Sequence, residues 1–163
     1  MKQTTIVGID YSLTSPCVCV NDGKKIMFYY MTKKKKHLGK IADNIIGEEH
    51  QEYNTPIERF TNISTWVMSK LPKSLKVYIE GYSFGSKGQA IFQIAENCGI
   101  LKYRLQEANI PYETIVPSVV KKGATGKGNA DKDMMYEAFN KETKIDLKKL
   151  FDTDKVGNPI SDI

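Results

Sequence analysis

The sequence predicts an α/β domain: a five-stranded mixed sheet, three antiparallel strands followed by two parallel ones, flanked by helices. Three observations predict it. Thr5-Ile6-Val7-Gly8-Ile9-Asp10 is a short apolar run that reads as a buried strand ending on a carboxylate. Asp22-Gly23, set between two strand-like runs, is a tight-hairpin signal. Beyond residue 55 helical and strand-like segments alternate, the pattern of crossovers that join parallel strands.

Taken in order, residues 4–10, 16–21 and 24–31 form an expected antiparallel meander. In the second of these strands Cys17 and Cys19 are two apart, so both thiols face one side, as buried, reduced cysteines rather than ligands of a metal. Residues 32–54 are polar and include Lys33-Lys34-Lys35-Lys36-His37; they read as a solvated loop or a basic arm, with His37 and His50 at the surface. Thr55-Pro56-Ile57-Glu58 then starts a helix: Thr55 caps, Pro56 sits where its missing N–H costs nothing, and Glu58 completes a capping box. Ile57, Phe60, Ile63, Val67, Met68 and Leu71 follow helical spacing, and Leu71-Pro72 ends the run.

Residues 76–81 are the fourth strand, Lys76-Val77-Tyr78-Ile79-Glu80-Gly81, again closing on an acid. A long helix spans 85–109, with Ile91, Ile94, Ala95, Cys98, Leu101, Leu105 and Ala108 on one face, available to the core or to a second subunit. The fifth strand is 112–116. Ser118 caps a short helix through Lys122, a loop follows over 123–128, and Asn129 caps a further helix with Met134, Met135, Ala138 and Phe139 turned inward. Residues 145–158 read as a polar loop, and 159–163 as a helix beginning.

A chain of 163 residues is expected to be a single domain. No apolar run approaches the ~20 residues that span a bilayer, and Met1-Lys2-Gln3-Thr4 leads straight into a strand, so a cytoplasmic protein without a leader is expected. The formal charge of +5 favours a polyanionic partner without naming one. The basic residues are almost all lysine: Arg59 and Arg104 are the only arginines.

If the first and fourth strands are parallel neighbours, Asp10 and Glu80 converge at one sheet edge, about 5 Å apart. Two carboxylates that close repel each other unless a cation lies between them. Oxygen ligands without neighbouring Cys or His suit magnesium or manganese, and a pair of such ions serves phosphodiester hydrolysis. Spacing alone leaves the alternative open that both acids only cap loops at strand ends. Ser12 and Thr14, following Asp10, cap the turn or position its backbone.

Gly8-Ile9-Asp10-Tyr11-Ser12-Leu13-Thr14, Ile79-Glu80-Gly81, and Ala130-Asp131-Lys132 after a Gly/Lys loop resemble the RuvC-type Holliday junction resolvases of the ribonuclease H-like superfamily, and among them the members found in phages and other viruses. The resemblance runs through nearly the whole chain, in order. It implies a dimeric, magnesium-dependent endonuclease, with manganese as substitute and two ions, that makes paired nicks in four-way DNA junctions. It implies metal and catalytic roles for Asp10, Glu80 and Asp162. The family has a further acid about one helical turn after the last of these; here the sequence given stops at Ile163, so a final helix left incomplete is expected, with Asp152 and Asp154 as solvated loop acids rather than substitutes. Lys121 and Lys132 match phosphate-contacting positions; Lys122 and Lys127 lie between them beside glycines that let a backbone approach. Tyr82 and Phe84 follow Glu80, Phe84 as a wedge or stacking residue at the junction centre, with Lys87 a further phosphate contact.

Three other readings compete. One keeps the fold and changes the substrate to flaps, forks or RNA–DNA hybrids. One is a non-catalytic junction-binding module. The third takes Gly8-Ile9-Asp10 as similar to the first phosphate loop of actin-like ATPases and sugar kinases, which need a second lobe this chain is too short to hold. Gly123-Ala124-Thr125-Gly126-Lys127-Gly128 lacks the Gly-Lys-Ser/Thr ending of a Walker loop.

Overall fold

A computed structural model describes residues 4–73, 75–82 and 88–163. The expected meander is present as β1 (Thr5–Asp10), β2 (Cys17–Asn21) and β3 (Ile26–Thr32), each antiparallel to the next. Two parallel neighbours, β6 (Leu75–Glu80) and β7 (Tyr112–Ile115), extend the sheet beyond β1. The sheet has seven strands rather than five, because the lysine-rich segment is no loop: it folds into β4 (Gly39–Ala42) and β5 (Ile45–Glu49). The order is β4-β5-β3-β2-β1-β6-β7. Since β5 is parallel to β3, the C-terminal ends of β1, β3, β5, β6 and β7 share one edge.

Two helices cover one face. Helix α1 (Pro56–Lys70) starts as its capping box requires, with Thr55 Oγ1 accepting from Glu58 N at 3.2 Å and Glu58 Oε2 accepting from Asn54 N at 2.7 Å. Helix α2 spans Ala90–Glu107. Val7, Ile9, Val18, Met31, Val77 and Ile79 form the sheet side of this core, and Ile63, Trp66, Val67, Cys98, Leu101 and Leu105 the helix side. Each apolar side chain fully buried there stabilises the fold by roughly 1.5–3 kcal/mol. The expected apolar stripe of α2 is buried only in its second half: Ile91, Ala95 and Ala108 are exposed, since the helix projects past the sheet edge at its start.

The opposite face carries the C-terminal third: α3 (Pro117–Thr125), α4 (Lys132–Thr143) and α5 (Leu147–Leu150). Helix α3 starts on Pro117 with no side-chain cap from Ser118, and runs past Lys122 until Gly126, at φ 79°, turns the chain. Helix α4 is capped by Asp131, not Asn129: Asp131 Oδ1 accepts from Met134 N at 2.9 Å. The stretch expected as a polar loop holds α5, and Leu147, Phe151 and Ile160 are buried against Cys17, Phe28, Tyr30 and Ile45. His37 is likewise not at the surface. It is 7% exposed, its ring edge-on to Phe151 at 5.0 Å, because the chain turns in over the β3–β4 bend there. Among the described residues no helix is long and apolar enough to cross a membrane.

Candidate active site

Strand alternation aims the acids. Val7 and Ile9 enter the α1/α2 core, so Gly8 and Asp10 face the other way; Val77 and Ile79 do the same for Tyr78 and Glu80. The parallel register pairs Ile9 with Ile79, which leaves Asp10 and Glu80 in step at the ends of adjacent strands. Cys17 faces Asp10 across the antiparallel pair. Asp162 arrives from the far end of the chain. Residues 157–163 form turns of helical pattern, with Ser161 N on Gly157 O at 3.2 Å and Ile163 N on Pro159 O at 3.1 Å, and buried Ile160 anchors them to the second core.

Asp10, Glu80 and Asp162 line one cleft of about 580 Å³ between the sheet and the C-terminal third. Lys121 and Lys132 stand on it too, while much of the remaining lining is apolar, including Ile115, Val120, Met135 and Phe139. Gly8 leaves the floor open beside Asp10: a Cβ there would meet nothing within 4 Å.

The electrostatics follow from burial and like charge. Asp10 is pushed up to about 8, first by desolvation and then by Asp162 and Glu80, with Lys132 opposing. Asp162 is pushed up to about 6 by desolvation, against the pull of Lys132 and of the Ser15 and Ser161 hydroxyls. Glu80 is raised by desolvation and held back by Lys121. Asp162 Oδ2 is buried with no hydrogen-bond partner. Buried carboxylates that repel one another, one with an orphaned oxygen, suit a hard divalent cation. Among the described residues no three His, Cys, Asp or Glu side chains already stand close enough to enclose an ion. The Cys17 thiol, raised by burial and then by Cys19 and Asp10, is poor in thiolate and a weak competitor as ligand.

The other expected residues divide. Lys122 and Lys127 are exposed and do not line the cleft. Tyr82 is exposed just past Glu80, with Lys102 Nζ 5.4 Å from its ring centre. Phe84 and Lys87 lie outside the described residues. Asp152 and Asp154 are exposed, away from the cleft.

Sequence reasoning missed the residues that hold the turn after Asp10. Ser12 Oγ accepts from Ser15 N at 3.0 Å, which bears out its capping role. Arg59 Nη2 donates to Leu13 O at 2.7 Å, and His50 Nε2 donates to Thr14 O at 2.8 Å. His50 is therefore tied into this turn rather than free at the surface. The rarity of arginine in the chain was the one available signal for Arg59.

No protein-family model matches the chain. It is 28% identical over 120 residues to the crossover junction endodeoxyribonuclease RuvC of Brachyspira hyodysenteriae, covering 69% of this chain and 71% of that protein. Among solved structures it is similar to Thermus thermophilus RuvC, with a TM-score of 0.59 and 15% identity over 98% of this chain and 88% of that one. It is also similar to T. thermophilus RuvC in complex with a Holliday junction substrate, with a TM-score of 0.62 and 16% identity over 98% of this chain and 87% of that one.

Proposed function

We propose that this chain, a RuvC-type protein by its fold and its sequence similarity, is a structure-selective endonuclease that resolves four-way DNA junctions by paired phosphodiester nicks. The observation that carries the reading is the meeting of Asp10, Glu80 and Asp162, three acids far apart in sequence, in one cleft with Lys121 and Lys132 on a RuvC fold. The RuvC of known structure that this chain resembles was solved with a Holliday junction substrate.

In this reading Asp10, Glu80 and Asp162 hold magnesium or manganese. The bound cation supplies an activated water and stabilises the leaving oxygen of the phosphodiester. The protein's part is to bring three oxygen ligands together and keep them desolvated, so that their charge is expressed toward the cation and not toward bulk water. Lys121 and Lys132 neutralise the acids before the substrate arrives and meet the phosphate backbone when it does. Lys122 and Lys127 extend that backbone contact outside the cleft. The active species is a homodimer, matching the two-fold symmetry of a junction cut twice, and it acts in the cytoplasm.

The test is nicking of labelled four-way junctions in magnesium. Asp10→Asn, Glu80→Gln and Asp162→Asn should each reduce cutting by at least about a thousandfold, each replacing an anionic ligand with a neutral one, while junction binding persists because phosphate contacts dominate affinity. A substitution that leaves cutting intact removes that residue from the site. Nicking of RNA–DNA hybrids or flaps with four-way junctions spared would overturn the substrate, and binding without metal-dependent nicking would leave only a junction-binding module.

A further inference from the structure

We propose that Arg59 and His50 are positioning residues for Asp162, acting through the β1–β2 turn and the buried hydroxyl of Ser15. The proposal rests on the reading of Asp162 as a metal ligand. The turn, residues 11–16, joins the strand that carries Asp10 to the strand that carries Cys17. Two consecutive carbonyls in it are taken up from different elements: Leu13 O by Arg59 of α1, and Thr14 O by His50 just past β5. A third tie comes from β3, where Met31 N donates to Pro16 O at 3.0 Å. A six-residue turn held from three elements is far more constrained than joining two antiparallel strands requires.

Arg59 is an unusual choice for that task. Its guanidinium lies 5.2 Å from the Tyr53 ring centre, its Nε is buried without a partner, and among the described residues it makes no ion pair. A buried cation spent on a backbone carbonyl is costly unless the position of that carbonyl matters. The flat guanidinium can stack on Tyr53 and still present Nη2 in one direction, which a lysine could not do.

The beneficiary of the fixed turn is Ser15, 5% exposed, directly after the two held carbonyls. Its hydroxyl and that of Ser161 approach the Asp162 carboxylate and favour its charged form, in contacts looser than a full hydrogen bond, and Oδ2 keeps no partner. Asp162 sits on a terminal turn with few supports of its own. Ser15 is the only one of these hydroxyls that belongs to the β1–β2 turn, and so the one that couples Asp162 to the element carrying Asp10. Groups that orient a ligand in this way typically change metal affinity about 10–100-fold when removed.

The experiment measures Mn²⁺ binding to the full chain by calorimetry, without DNA, for the wild type, Ser15→Ala, Arg59→Met, His50→Gln, the Ser15→Ala/Arg59→Met double variant and Asp162→Asn. Ser15→Ala and Arg59→Met should each weaken Mn²⁺ binding about tenfold, and the double variant should be little weaker than either, because both act on one route. Metal-free junction binding should be unchanged in Ser15→Ala. Unchanged Mn²⁺ affinity in Ser15→Ala, or full multiplication of the two effects in the double variant, overturns the proposal. If Arg59→Met does not fold, Ser15→Ala and His50→Gln decide it: loss in both supports the route, loss in neither overturns it, and loss in only one breaks it at the other residue. Asp162→Asn separates the two layers. If it leaves Mn²⁺ affinity intact, the ligand reading of Asp162 fails; if it weakens binding and Ser15→Ala does not, only the positioning proposal fails.

Discussion

Asp10 is the residue whose protonation should be most visible. Burial and two neighbouring acids raise it from 3.8 to about 8, while Asp162 is raised to about 6. A raised acid in the folded state means that between these values the folded protein holds a proton the unfolded chain has lost. Metal-free stability should therefore fall as pH rises from about 4 to about 8, the sign opposite to that of a salt-bridged carboxylate. Asp10→Asn, which removes the buried charge, should raise the melting temperature of the metal-free protein near pH 8, measured by calorimetry. Protons also compete with metal for the same oxygens. Mn²⁺ affinity should rise with pH and level off above about 8, with a proton released on binding; a flat profile would mean that Asp10 is already ionised in the metal-free protein.

At the scale of elements, the edge hairpin was the part hidden in the sequence. Ile41, Ile45 and Ile46 are its only large apolar residues, and the preceding run of four lysines drowns their pattern. What makes the hairpin pack is Gly47, opposite Tyr30 in the parallel register. A Cβ at Gly47 would come within 2.1 Å of His37 O and 2.6 Å of the Tyr30 hydroxyl, which itself donates to His37 O at 2.5 Å. Gly47→Ala should therefore destabilise the fold by about 3 kcal/mol, the upper end for overpacking, read by urea unfolding. Helix α4 offers a cleaner check: Asp131→Ala should cost about 1 kcal/mol as a lost cap, whereas Asn129→Ala should cost little.

Across the whole molecule, charge and symmetry carry the function. Lys132 touches the site electrostatically and faces solvent, so Lys132→Ala should weaken junction binding and lower the slope of log affinity against log salt by about one. An unchanged slope counts against a phosphate contact. The exposed face of α2 carries Phe92, 67% exposed, and Tyr103, 61% exposed, with the small Ala95 and Gly99 between them. Such a stripe suits close approach of a second copy. Phe92→Asp should shift the protein toward a monomer in sedimentation and turn paired nicking into single nicks; a stable dimer of that variant would place the contact elsewhere.

By itself the sequence determined the elements whose signals are local: the β1–β2–β3 meander, the capping box of α1, the two strands that end on Asp10 and Glu80, and the parallel pairing that sets them side by side. These rest on alternation, caps and turns, which neighbours in the chain supply. Tertiary structure alone decided that the lysine-rich stretch joins the sheet, that His37 is buried, and that Leu147, Phe151 and Ile160 close a second core which carries Asp162 to the other acids. It also decided that Arg59 and His50 grip the turn beyond Asp10. Contacts across 36 and 46 residues leave no periodicity behind them, because a hydrogen bond to a backbone carbonyl selects a position in space and makes no demand on which side chain stands there.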